Sequence, residues 1–144
     1  MALMIDLSLS EAKLFRILGA FFGKERVVPR MSVMAVCGGE LPPAVNALGI
    51  DAVKWARSNN CLFTIIDHDD NPRMVMEFFS GYQSGIDVTE LEHQRYLGPI
   101  LKAVGIPYVT ITNNEFEEIL DPQGNLDFVS LLKDKVGYEG SDPP

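Results

Sequence analysis

Cysteine is scarce in this chain: its 144 residues hold two, Cys37 and Cys61. They stand far apart, with no partner cysteine or histidine at zinc-ligand spacing, which excludes a zinc cradle and a disulfide scaffold. Both read as buried, reduced thiols. Long hydrophobic runs are missing too. None approaches the roughly 18 residues that would span a bilayer, so no membrane partner is expected. The opening "MALMIDLSLS" carries an early Asp6 and no basic stretch, so no secretion signal is expected and the reading is cytoplasmic. Positive charge is in short supply: 12 Lys and Arg face 20 Asp and Glu, for a net charge of −8. A chain so acidic is a poor general binder of polyanions, because phosphate neutralisation needs clustered cations. Only a local basic site would serve. No internal repeat and no interdomain linker is visible.

What is present is enough for a core. The chain is 47% hydrophobic and 22% charged, as expected of one ordinary globular domain. We read residues 1–136 as that domain and "GYEGSDPP" (137–144) as a flexible acidic tail.

"LSLSEAKLFRILGAFFGK" (7–24) predicts a helix. Ser8 and Glu11 fit a capping box, Leu14, Phe15, Leu18, Phe21 and Phe22 form the apolar stripe, and Gly23 ends it. "RVVPRMSVMAVC" (26–37) predicts a short extended piece broken at Pro29. Short helices are expected within 43–48 and 50–60. "CLFTIID" (61–67) and "MVMEFF" (74–79), joined by the turn-forming "HDDNPR", predict a hairpin. A helix over 88–105 should kink or split at Gly98-Pro99. "IPYVTIT" (106–112) predicts a strand, "NNEFEEIL" (113–120) an acidic helix with a solvated face, and 126–137 a last helix. Antiparallel strands followed by a helical crossover to another strand give an α/β fold, a central mixed sheet flanked by helices.

Glu77 stands out, a carboxylate inside the most apolar stretch. A buried carboxylate must be paired, hydrogen-bonded or bound to metal. A turn centred between Asp70 and Asn71 would set Thr64 opposite Glu77 and Leu62 opposite Phe79. Asp67 would then lie on the other face from Glu77, a poor co-ligand. Asp69 and Asp70 read as turn residues that cap their own backbone. Backbone N–H groups, Thr64, Arg95 or Tyr82 could satisfy Glu77 without chemistry.

Three stretches carry a family likeness: "SEAKLFRILG", "CLFTIIDHDDNPRMVMEFF" and "LKAVGIPYVTI". In this order they resemble the restriction-endonuclease-like, or PD-(D/E)xK, superfamily, and within it the small bacterial domains related to very-short-patch-repair endonucleases. The likeness covers roughly residues 8–112. It implies two carboxylates, and often a lysine, gathered at one end of the sheet around Mg²⁺, which would activate a water for phosphodiester hydrolysis. On this chain Glu11 and Glu77 match the acidic positions, and Glu77 would be the metal ligand. Gln94, or its neighbour His93, would be a helper on the later helix. The remaining positions depart from the pattern: Leu62 falls on or beside the expected Asp, and Phe79 on the expected lysine or second acid.

Each residue also has a plainer reading. Glu11 is explained by the capping box, His93 as a surface or partly buried histidine on a polar helix segment, His68 as a turn residue, and Trp55 as core. Lys13, Arg16, Lys24, Arg26 and Arg30 gather near the first helix, the one candidate phosphate-facing patch. Three readings stay open: a nuclease-fold protein with a degraded metal site that binds or regulates in DNA-related processes, with no cofactor expected; a Mg²⁺-dependent DNA endonuclease with a migrated site; and a homo-oligomeric interaction protein, for instance a homodimer, unrelated to nucleic acid.

Overall fold

The computed structural model describes residues 9–79, 92–120 and 128–136. Helix α1 spans Leu9–Phe22. Leu14, Leu18 and Phe22, four residues apart, bury one stripe of it. Gly23 ends it at a φ of 106°, which an L side chain rarely adopts. A 3-10 turn, Lys24–Arg26, leads into strand β1, Val27–Pro29. Three short helices follow: α2 (Val33–Val36), α3 (Pro43–Asn46) and α4 (Ile50–Ser58). The Ser32 hydroxyl caps α2 by accepting from the Ala35 N–H at 3.1 Å.

Strands β2 (Phe63–Ile66) and β3 (Pro72–Phe79) form the expected hairpin. A π-type turn, His93–Leu97, runs into helix α5, Gly98–Val104. The expected kink or split at Gly98-Pro99 takes this form. Proline removes one helical N–H and crowds the carbonyl four residues back, and the widened turn accommodates both while the backbone stays helical. Gly105 closes α5 at a left-handed φ of 74°. Strand β4 (Tyr108–Thr112), helix α6 (Asn113–Leu120) and helix α7 (Phe128–Val136) complete the described chain. Ser8 and the expected 88–91 start of the later helix lie outside the described residues, as does the 137–144 tail.

The four strands form one mixed sheet in the order β1-β2-β3-β4. β1, β2 and β3 pair antiparallel, and β4 joins β3 in parallel after the helical crossover. Helices cover both faces. Phe63, Ile65, Met74, Met76, Val109 and Ile111 point to the face covered by α1, α6 and α7. Val75 and Tyr108 point the other way, against α2, α4 and α5.

The hairpin register differs from the expected one by two residues. Thr64 pairs with Val75 and Phe63 with Met76, so Glu77 comes level with Leu62, and Thr64 does not face it. The turn explains the shift. It centres near Asp69: the Asp67 N–H donates to the Asn71 carbonyl at 3.0 Å, and Asp70 takes a left-handed φ of 65°. An irregularity between Ile65 and Ile66 then resets the pairing. The capping acid is Asp67 instead of Asp69 or Asp70. Its Oδ1 accepts from the Asp69 and Asn71 N–H groups at 2.9 and 3.0 Å, while Oδ2 holds Arg73 at 2.8 Å. Those bonds hold the Asp67 carboxyl down at about 2.

Candidate functional site

Three successive strands deliver their ends to one place. Arg30 follows β1, Leu62 precedes β2, and Glu77 lies near the end of β3, beside Thr110 of β4. The Leu62 peptide joins the first two to the third: its carbonyl accepts from the Arg30 N–H at 2.9 Å, and its N–H donates to Glu77 Oε2 at 2.6 Å. Arg30 sits at a left-handed φ of 57°, uncommon for a side-chain-bearing residue. Its guanidinium lies 3.8 Å from Glu11 Oε1, which brings the first turn of α1 to the same end of the sheet.

The other oxygen of Glu77 faces a histidine. His93 Nε2 lies 3.9 Å from Glu77 Oε1. The same nitrogen is 3.0 Å from the Asn60 carbonyl, and since a carbonyl only accepts, Nε2 carries the proton. His93 is buried at 8% exposure, with its ring edge-on to Trp55 at 5.0 Å. His93, expected at the surface or partly buried, therefore lies in the core. The signal was in the spacing: His93, Leu97 and Ile100 recur four and three residues apart, one buried stripe. The side chains of Gln94 and Phe79 lie outside the described residues, as does Tyr82; Arg95 is exposed.

Burial at 4% exposure pushes the Glu77 carboxyl up, and Glu11 adds to the push; His93, the Leu62 N–H and Arg30 pull it back. The net effect is upward, to about 7. Other polar atoms crowd the same face. Burial, then Glu77, raises the thiol of Cys61 and the hydroxyl of Tyr108 far above their ordinary ranges. Thr64 Oγ1, Tyr108 OH and Trp55 Nε1 are buried with no hydrogen-bond partner among the described residues. Both cysteines are free thiols, Cys61 buried and Cys37 half-buried.

The resemblance implies Mg²⁺, an ion that takes about six oxygen ligands in a near-octahedral shell. The residues here offer less. Glu77 commits one oxygen to a backbone N–H, Glu11 faces a guanidinium, and the position level with Glu77 is a leucine. Among the described residues no group of three or more His, Cys, Asp or Glu side chains comes together as a metal site. This donor set does not fit the ion. What the cluster can do is hold two carboxyl groups, a guanidinium and an imidazole together at one end of the sheet.

The candidate basic patch divides in two. Arg26 donates from Nε to the Ile66 carbonyl at 2.9 Å, and the exposed Arg30 lies beside Glu11. Lys13, Arg16 and Lys24 are exposed. Arg16 and Lys24 flank an apolar cleft of about 460 Å³ floored by Phe15, Gly19 and Ala20.

Comparison with the profiles of known protein families, with curated proteins and with solved structures finds no match to this chain. Among the described residues no helix is long and apolar enough to cross a membrane.

Proposed function

We propose that this chain is a restriction-endonuclease-like domain whose metal site has been replaced by a charge cluster, and that it binds DNA as a regulatory module without cutting it. The element order supports the reading: a helix, three antiparallel strands with short helices between the first two, a helical crossover and a parallel fourth strand. So does the meeting of α1 and β3, through Glu11 and Glu77, at one end of the sheet. The observation that carries the loss of chemistry is the partner of Glu77. The resemblance puts an acid on or beside Leu62, and this leucine, level with Glu77, gives it only a backbone N–H.

DNA would meet the exposed cations of α1 and the turn after it, Lys13, Arg16 and Lys24. Three phosphate contacts predict a log-log salt slope of about −3. The experiment is a melting curve with and without millimolar Mg²⁺ or Mn²⁺, beside a DNA-binding titration at several salt concentrations. We expect no metal-dependent rise in melting temperature, because only an ion that binds the folded state stabilises it. We also expect DNA binding that weakens with salt and with Lys13→Ala, Arg16→Ala and Lys24→Ala. Metal-dependent stabilisation, with DNA cleavage that Glu77→Gln abolishes, would establish the migrated-site endonuclease instead. Absence of DNA binding at low salt would overturn the binding role.

A further inference from the structure

Away from the charge cluster, two clefts run together between α4 and the helix that carries His93. One, of about 340 Å³, is lined by Leu48, Ile50, Arg95 and Pro99. The other, of about 330 Å³, is lined by Lys54, Ser58 and Glu92. Asp51 and Tyr96 line both, so the two form one groove. Among the described residues the large hydrophobic side chains left exposed are Ile50 at 70% and Leu48 at 43%, and both lie in this groove. The two lie side by side in a concave surface, which gives the groove a small apolar centre.

The charges indicate what fills it. The groove carries two acids, Asp51 and Glu92, and two bases, Lys54 and Arg95, a balance of zero in a chain of net charge −8. A strongly basic or acidic partner would meet like charge along half of it. A second copy turned by a two-fold axis can set its acids against these bases. We propose that this groove is the contact between two copies of the protein, related by a two-fold axis. In such an isologous contact each residue meets its complement twice, so Asp51 of one copy can face Arg95 of the other and the reverse. Ile50 and Leu48 supply the apolar centre. Everywhere else two chains of −8 repel, so a neutral patch is where they can meet. The inference is independent of the DNA-binding reading and of Glu77.

The test is sedimentation of the full chain from micromolar to millimolar concentration. We expect a reversible monomer–dimer equilibrium. Ile50→Glu should weaken it by about tenfold or more, since it sets two like charges at the centre. Asp51→Arg and Arg95→Asp should each weaken it, and the double swap should restore it. Asp51 also lies in the first turn of α4, where an acid favours the helix, so a circular-dichroism melt accompanies each variant. A weakened helix cannot produce rescue in the double swap. A wild-type chain that stays monomeric throughout overturns the proposal, as does a dimer that neither Ile50→Glu nor the swaps disturb.

Discussion

The two faces of the sheet solve the burial problem in different ways. One face is wholly apolar: Phe63, Ile65, Met74 and Met76 pack against the stripe of α1 and against Phe116, Leu131 and Leu132. The other buries Glu77, His93 and Thr64 among Trp55, Cys61 and Leu101. The first reads as a face built for stability. The second keeps ionisable groups in a dry place, which costs free energy unless each one finds a partner. The contrast gathers the buried ionisable groups of the molecule on the second face.

The largest effect should come from breaking the apolar face. Phe63 is fully buried, and its ring stacks on Phe15 with centroids 5.5 Å apart. Phe63→Ala would leave a cavity beneath α1 and cost about 3–5 kcal/mol. Urea unfolding checks this. A loss below about 1 kcal/mol would mean that the face collapses to fill the gap, and that the two faces differ less than their composition says.

Much of the apolar face was legible in the sequence. The spacings of Leu14, Leu18 and Phe22, and the alternation of the strands, name its members because hydrophobic periodicity is local. The α/β architecture followed from the same patterns. The second face was legible only in part. Glu77 announced itself as a charge in an apolar strand, but its partners come from residues 15 and 16 positions away. The Leu62 N–H and His93 could be placed only with the hairpin register and the path of the crossover. The register slipped from its expected value because side-chain caps at Asp67 and a left-handed Asp70 set the turn, and neither follows from composition alone. Nor does composition show the neighbour of Arg30: a left-handed backbone sets its guanidinium beside Glu11.

The second face should reveal itself through pH. Burial raises the Glu77 carboxyl to about 7, above its value in an unfolded chain, so the folded state prefers the protonated form. The stabilisation is therefore complete below about pH 4.5 and is lost as pH rises through 7. Glu77→Gln keeps an oxygen for the Leu62 N–H and removes the titration. Wild type and variant should be similar near pH 4.5, with the variant gaining on the wild type up to pH 8, by on the order of 3 kcal/mol. Taking the difference between the two cancels the acids that do not interact with Glu77. Parallel stability profiles would show that Glu77 is ionised at neutral pH and fully satisfied by His93 and Arg30.

A smaller effect, of opposite sign to the first, tests whether the polar atoms of the second face carry a cost. Thr64 is fully buried, level with Val75, and its hydroxyl has no hydrogen-bond partner among the described residues. Thr64→Val replaces that hydroxyl with a methyl of nearly the same shape. An unsatisfied buried hydroxyl costs about 1–3 kcal/mol of desolvation, so its removal should stabilise the protein by about 1 kcal/mol. On the apolar face no such gain is available, because there every large-to-small or shape change removes contacts. A destabilised Thr64→Val variant would instead mean that the hydroxyl is hydrogen-bonded in solution, to water or to the Cys61 thiol. The second face would then be a connected polar network, and the comparison between the faces would turn from cost against stability to two kinds of satisfied core.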